Sequence, residues 1–562
     1  MNQTLISQTP FERIALSCSG GGYRAASYHL GAMAYLQQLH YAGKPLLENV
    51  KMISTVSGGT ITGIVYALGK ARGDGFDKIY NFLIGQLKTL DLVKDGLLML
   101  NPDADWNGTT KRKNLINAFA RQYDAHLTKG AVMGELDLTN THLEAVVFNS
   151  TDFSNALDFR FKNKGTGYSG NFYNVVRTSD MAEAKLGDMM AASSCFPGGF
   201  EPILWPQDFV HNASPNLQKL ASGAAPVGLM DGGIYDNQGI DSILKYKPKP
   251  GQANFDLIIV SDVASPKMDA FVPAPEAAKT GFYNWTIKDI LDRTSRINNG
   301  ITWGLIVLIA AGLIIPATTC FAGTFLNGFA LGVALITSIL WIVKSIAVGR
   351  VRSAYNWITG RIRAILPEFY RDKLSHLNIE ELSLHRVEPL LLDRLRSVCS
   401  LLSNIFLKVV RRLNYAILFE DPVYDYRRVG NLIRQLTEED YIEARKRELA
   451  RQRSKKYKPV YSIFTGDYRT DVGDRLKILT EEASSFGTTL WFTDQDQVGG
   501  MLEKLLLTGK ATMCYNLVRY LEELIYTPDN GFAELPEQIR HDILSTYEQC
   551  KKDWYDFKDQ PI

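Results

Sequence analysis

The feature that most constrains this chain is a long run without charge. Residues 297–343 form a stretch of 47 positions with no Asp, Glu, Lys or Arg. A helix needs about 20 apolar residues to cross the hydrocarbon layer of a bilayer, so the run has room for two crossings, over 301–320 and 326–343. Pro316, Gly323 and nearby small polar residues offer a turn between them. Lys288, Arg293 and Arg296 precede the run, and Lys344, Arg350, Arg352, Arg361 and Arg363 follow it. Basic residues at both outer ends predict that both ends lie in the cytoplasm, a membrane protein with its main body on that side. Trp303 and Trp341 then fall near one interface, and Gly328 and Gly332 form a GxxxG step that permits close helix contact. Two other readings stay open: a re-entrant hairpin that embeds without crossing, and a hairpin buried inside a large soluble assembly.

Apart from that run the chain reads as ordinary folded protein. Its 562 residues predict roughly two to four structural units. A net charge of +2 gives no support to nucleic acid as a partner; a homo-oligomer is compatible with the sequence. The six cysteines, at 18, 195, 320, 399, 514 and 550, have no CxxC spacing and no zinc-like cluster with histidine. They read as reduced, mostly buried thiols, with no metal. The opening MNQTLISQTPFER lacks a basic start followed by an apolar run, so no secretory signal is expected.

Residues 11–265 alternate between strand and helix patterns. ERIALSCS, MISTVS, VGLMDGG and DLIIVSDVAS read as buried strands; YRAASYHLGAMAYLQQLHY and GGTITGIVYALGKA read as helices. The alternation predicts an α/β fold with a mostly parallel sheet covered on both faces. Residues 266–470 read as a helical insertion carrying the apolar hairpin. Its stretch PLLLDRLRSVCSLLSNIFLKVVRRLNYAILF is amphipathic, with Arg394, Arg396, Lys408, Arg411 and Arg412 interrupting the apolar face. Such a helix lies on an anionic membrane surface or packs on its own domain. The basic run RKRELARQRSKKYK, 445–458, reads as a solvated helix, with lipid headgroups as its alternative partner. Mixed α/β character returns over 471–530, and 531–562 reads as a helical tail. The expected division is thus 1–265 and 471–530 as one core, interrupted by 266–470.

Three glycine-rich motifs stand at predicted strand ends. The first is Ser19-Gly20-Gly21-Gly22-Tyr23-Arg24. Consecutive glycines before a helix let backbone N–H groups converge, which suits a phosphate or the oxyanion of a tetrahedral intermediate. Gly20-x-Gly22-x-x-Ala25 also fits the loose dinucleotide fingerprint, so a Rossmann-type nucleotide-binding enzyme competes. The second is Thr55-Val56-Ser57-Gly58-Gly59, in the strand–turn–helix setting of a nucleophile elbow. The third is Asp231-Gly232-Gly233, continuing to Gly239, after another buried strand. A serine hydroxyl needs a base. None of the eight histidines lies in a comparable motif. His29 falls within the first helix, His211 in a polar loop, and His385 and His541 in helical stretches. Direct action by Asp231 is the simpler hypothesis, if burial raises its basicity.

Taken together these motifs resemble the patatin-like phospholipase family. SGGGYRA is similar to its oxyanion loop, VSGG to the centre of its GxSxG elbow, and DGGIYDNQG to its DGA/DGG segment in the extended form of many bacterial members. AASSCFPGGFEP, 191–202, resembles the family's stretch before the aspartate, and TTLWFTD and TGKATMCYNL resemble a C-terminal return to the core. The resemblance covers roughly 11–265 and 480–525 and leaves out the insertion. It implies a three-layer α/β/α fold and a Ser57–Asp231 dyad without metal or cofactor. It also implies hydrolysis of acyl esters in phospholipids, lysophospholipids or neutral lipids through an acyl-Ser57 intermediate. Gly20, Gly21 and Gly22 would supply the oxyanion hole; Gly58, Gly59, Gly232 and Gly233 would give room around the dyad; and Arg24 would brace the glycine loop. Thr55 departs from the family pattern, which has glycine there, and its β-branch is expected to crowd the elbow. The hairpin would keep the enzyme beside its substrate. A membrane scaffold of the same fold without turnover, and a membrane-damaging effector, are the other settings in which such a chain would make sense.

Overall fold

In the computed structural model the buried apolar segments become strands of one mixed sheet. The residues described are 6–106, 110–163, 167–264, 272, 281–318, 325–365, 383–440, 442, 446, 472–527 and 530–559. The strands are β1 (Ile14–Cys18), β2 (Val50–Val56), β3 (Ala145–Asp152), β4 (Leu157–Lys162), β5 (Ser169–Gly170), β6 (Val175–Val176), β7 (Ile203–Trp205), β8 (Val227–Asp231), β9 (Leu257–Asp262) and β10 (Arg428–Leu432). Their order is β10-β9-β1-β2-β3-β4-β5-β6, with β8 pairing β3 and β7. The five strands from β10 to β3 are all parallel. The remaining pairs are antiparallel.

The helices used below are α1 (Gly22–Gln38), α2 (Gly58–Ala71), α3 (Leu186–Ser193), α4 (Ile287–Thr318), α5 (Phe325–Ile365), α6 (Leu384–Ser400), α7 (Leu407–Phe419), α8 (Asp474–Ser485), α9 (Met501–Tyr526) and α10 (Glu537–Asp559). Side chains alternate across the central strands. Ile14, Leu16, Ile53, Leu257 and Ile259 join the larger core with α1, α2, α8, α9 and α10. Ala15, Met52, Ile258 and Val260 face the other way, under Leu418 of α7 and the short helix Ile240–Leu244. A sheet with an apolar surface on both sides must be covered on both. The result is a three-layer α/β/α core.

Contacts divide the chain into two units, Met1–Met268 with Leu401–Ile562, and Asp269–Ser400. Two pieces of the stretch read as insertion therefore sit in the first unit. β10 extends the sheet beside β9. α7 packs on the sheet, and its Arg411 is buried with Nε donating to Asp262 at 2.8 Å. Of the two settings open to that amphipathic stretch, α7 takes packing on its own domain. One of the arginines that interrupt its apolar face is spent on an internal ion pair.

In the second unit α4 and α5 are long and apolar enough to cross a membrane, over Lys288–Thr318 and Phe325–Arg350. Lys344 Nζ donates to the Asn298 carbonyl at 2.6 Å and to the Thr302 hydroxyl, which fixes the two helices antiparallel at that level. Two expectations need correction. The helices do not approach through Gly328 and Gly332, where an added Cβ would meet nothing within 4 Å. They approach at Gly312, where a Cβ would stand 2.6 Å from the Ala330 carbonyl oxygen and 2.8 Å from Ala334 Cβ. Pro316 does not form the turn; it lies inside α4, near its C-terminal end. Gly323, Cys320 and all but one residue of the basic run 445–458 lie outside the described residues.

Candidate active site

Sheet register brings Ser57 and Asp231 to one point. β2 runs parallel to β3 and ends with Val56 opposite Asn149. β8 runs antiparallel along the same edge of β3 and ends with Asp231 opposite Ser150. The two strands thus point at each other end to end, and the residues at their tips meet. The Ser57 hydroxyl is among the groups that act on the Asp231 carboxylate, favouring its ionised form. Gly233 N–H donates to Asp231 Oδ1 at 2.7 Å.

Ser57 caps α2 with φ 51° and ψ −120°. A non-glycine residue there is strained by roughly 1–3 kcal/mol, and the surroundings hold it in place. Its N–H donates to Ser193 Oγ at 2.9 Å, and its carbonyl accepts from Thr60 N–H at 2.8 Å. Both members of the pair are nearly buried, at 9% and 7% exposure. Burial pushes the Asp231 carboxyl up to about 6, against the pull of the Gly233 and Ser57 hydrogen bonds. A carboxylate of that basicity accepts a proton near neutral pH more readily than an ordinary aspartate.

The first glycine motif closes over the pair. A Cβ on Gly20 would stand 2.9 Å from Ser57 Cβ and 2.5 Å from Asn237 Oδ1, so only glycine fits between them. Gly22 has φ +58°, and its backbone lies against the Thr489 carbonyl. Tyr23 N–H donates to that same carbonyl at 2.8 Å.

Residues 16–244 match the family model of patatin-like phospholipases. The matched segment holds all three motifs and stops before β9. No curated protein sequence matches the chain. Solved structures that match it include human GIVD cytosolic phospholipase A2 with methyl gamma-linolenyl fluorophosphonate, at 15% identity and a TM-score of 0.29. That match covers 46% of this chain and 42% of the human one, so the similarity spans less than half of that protein. VipD from Legionella pneumophila matches over 99% of this chain and 94% of its own, at 11% identity and a TM-score of 0.24.

Around the patatin-like core the other sequence-derived residues take these places. The Gly20 N–H is already committed, donating to the Asn237 carbonyl at 3.1 Å. For the Gly21 and Gly22 N–H groups there is no protein acceptor among the described residues. Gly58 and Gly59 lie against the backbone of Gly22 and of Cys18 and Ser19, and Gly232 against that of Asn149. Arg24 is half-buried and donates from Nη1 to the carbonyls of Phe486 at 2.6 Å and Ser484 at 3.3 Å, tying α1 to the end of α8 and the loop after it. Asp262 pairs with Arg411 and takes a hydrogen bond from Gln238.

No histidine among the described residues touches the pair. His29 is neutral, its basicity lowered to about 4 by burial, and its Nε2–H donates to the Ser19 carbonyl at 2.9 Å, under the glycine loop. His211 donates to the Glu183 carbonyl, and His541 lies exposed beside Asp542. No group of three or more His, Cys, Asp or Glu side chains among the described residues is arranged to hold a metal.

Three contributors were not singled out from the sequence. Asn237 links the first and third motifs, with its carbonyl on Gly20 and its side chain between Gly20 and Gly233. Ser193 and Thr60 continue a chain of hydroxyls that starts at Thr55. Thr55 Oγ1 lies 2.9 Å from Thr60 Oγ1, Thr60 Oγ1 lies 2.8 Å from Ser193 Oγ, and Ser193 donates to the Asn149 carbonyl at 2.7 Å. Since that last proton is committed, Thr60 must donate to Ser193 and Thr55 to Thr60. The methyl of Thr55 is housed by Gly63, where a Cβ would come within 2.5 Å of it. Thr55 therefore does not crowd the elbow; it anchors it.

Proposed function

We propose that this protein is a serine acyl-ester hydrolase of membrane lipids, phospholipid or lysophospholipid, working through Ser57 and Asp231. The observation that carries the reading is that the facing tips of β2 and β8 bring Ser57 to Asp231, whose buried carboxyl is pushed up to about 6. Asp231 takes the proton of Ser57 as the hydroxyl attacks the acyl carbonyl. The N–H groups of Gly21 and Gly22 receive the developing oxyanion, a kind of contact whose removal commonly costs about 100- to 1000-fold in rate. Gly20 leaves room for the Ser57 and Asn237 side chains to pack together, and its own N–H is occupied. The alcohol or lysolipid leaves with the proton from Asp231, and water activated by Asp231 then releases the fatty acid from Ser57.

The match of 16–244 to patatin-like phospholipases supports this substrate class. The α4–α5 hairpin supports attachment to a bilayer with the hydrolase core on its cytoplasmic face. A fluorophosphonate probe should label the wild-type protein and leave Ser57→Ala unlabelled. Lipid extracts of membranes incubated with the protein should gain free fatty acid with the wild type and none with Asp231→Asn. Folded wild-type protein that resists the probe and releases no fatty acid would leave a non-enzymatic scaffold as the better reading.

A further inference from the structure

A second apolar feature stands at the same edge of the sheet as Ser57. β5 and β6 are joined by the turn Asn171-Phe172-Tyr173-Asn174, closed by Asn171 N–H donating to the Asn174 carbonyl at 3.1 Å. The two residues at its tip are among the most exposed aromatics of the core, with Phe172 at 86% and Tyr173 at 67% exposure. Their rings pack edge to face, 5.2 Å apart. Phe153, in the turn after β3, is exposed as well, and so are Tyr168 and Val175 on the flanks of the tip.

This tip is held firmly. The side-chain amides of Asn171 and Asn174 both donate to Asp152 Oδ2, at 2.9 and 2.8 Å, which fastens it to the end of β3. Asn171 Oδ1 also accepts from the backbone of Tyr173 and Asn174. Topology fixes where it points. β3 runs toward Asp152, β4 returns, and β5 runs in the direction of β3 again. The tip therefore emerges at the edge where β1 and β2 end, the edge that carries Gly20 and Ser57. Three strand spacings of about 4.8 Å separate β2 from β5, so the tip stands roughly 14 Å to the side of the serine.

Two aromatic rings fixed in water on a polar, hydrogen-bonded base lose free energy unless something apolar receives them. Aromatic side chains are enriched where a protein meets lipid headgroups. The arginines nearest the tip are paired, Arg160 with Asp158 and Asp241 and Arg177 with Asp180, so the contact would be made by the rings and not by charge.

We infer that the Phe172–Tyr173 tip, with Phe153 beside it, inserts into the headgroup region of a bilayer and presents the Ser57 edge of the sheet to the lipids. This is a second lipid contact, separate in sequence from the α4–α5 hairpin, and its purpose rests on the lipid-hydrolase reading above.

The test uses the full chain carrying Phe172→Cys, with Cys320→Ser and Cys399→Ser, labelled at 172 with an environment-sensitive fluorophore. Adding vesicles of phosphatidylcholine and phosphatidylserine should shift the emission to the blue, and should do so equally in a Ser57→Ala background. In parallel, Phe172→Ser/Tyr173→Ser should lower hydrolysis of vesicle phospholipid by about tenfold or more while leaving hydrolysis of a water-soluble short-chain ester unchanged, which also shows that the variant is folded. A label that stays in water while vesicle phospholipid is hydrolysed overturns the surface and spares the hydrolase. A label that enters lipid in a protein without any hydrolysis does the reverse. A blue shift that grows with protein concentration in the absence of vesicles overturns the inference in favour of contact between copies of the chain.

Discussion

The carboxyl of Asp231 is asked to be both buried and charged, and the two demands have measurable consequences. Its pKa is raised from 3.8 to about 6, so the fold favours its neutral form. If Asp231 is the proposed base it must be ionised, so kcat/KM on a soluble ester should fall about tenfold per pH unit below 6 and level off above. Stability runs the other way. A carboxyl whose folded pKa exceeds its unfolded one binds its proton more tightly when folded. Its stabilising effect is complete below about 4 and is lost as pH rises through 6. At pH 8 the ionised, buried group costs roughly 3 kcal/mol, an order-of-magnitude figure. Asp231→Asn should therefore abolish turnover and raise Tm at pH 8, with almost no effect on Tm at pH 4. An acid limb near pH 4, or equal effects of the substitution at both pH values, would remove Asp231 from the role of buried base. The two turns that carry Ser57 and Asp231 were legible because glycine-flanked turns at strand ends are local patterns, fixed by what backbone geometry allows. Asn237, Ser193 and Thr60 were not, because each acts through a partner 5 to 217 positions away that no local pattern reveals.

Among the elements, α2 shows how a departure from a motif is absorbed. Thr55 at the end of β2 places its hydroxyl on Thr60 and its methyl against Gly63. Gly63→Ala drives a Cβ into that methyl and should destabilise the protein by about 1–3 kcal/mol. The move should also shift α2, and with it the backbone of Ser57, so kcat should fall more than KM rises. Adding Thr55→Ala removes the obstructing methyl, and the double variant should recover part of the loss in a denaturation series. Additive losses would mean that the two residues do not share one space. The same scale explains what the pattern of the sequence hid. β10, with the sequence RVGNL, is an edge strand with one strongly apolar interior residue, Val429, and offers no buried run to recognise. α7 looked amphipathic with misplaced charge until Asp262 supplied the partner for Arg411. α9 lies in the stretch read as mixed α/β, and no local pattern marks it as the neighbour of α1, which it meets at Gly31 and Gly509 backbone to backbone. Gly31→Val should therefore prevent folding although it lies far from Ser57 in sequence, seen as loss of soluble or detergent-extracted protein.

At the scale of the whole molecule the proposed chemistry and the proposed attachment belong to different stretches of chain. The motifs lie within 16–244, and the apolar hairpin lies within 269–400. The hairpin's ends are close together, since Lys344 Nζ reaches the carbonyl of Asn298 at 2.6 Å. Residues 299–343 can therefore be replaced by a short Gly-Ser linker without stretching the chain on either side. If the hairpin is an anchor, the shortened protein should remain in solution without detergent. It should hydrolyse a soluble short-chain ester at a rate within about twofold of the parent, because α1, α2 and the sheet are untouched. Hydrolysis of phospholipid in vesicles should fall by roughly 100-fold or more, since attachment converts a search through solution into a reaction at high effective concentration. A parent protein that stays soluble without detergent would instead place the uncharged run in a protein interface, and excision should then produce aggregates. A shortened protein that is folded and soluble but inert toward the ester would make the second unit part of the catalytic machinery. The comparison of ester with vesicle rates separates these cases, because only the second substrate requires the bilayer.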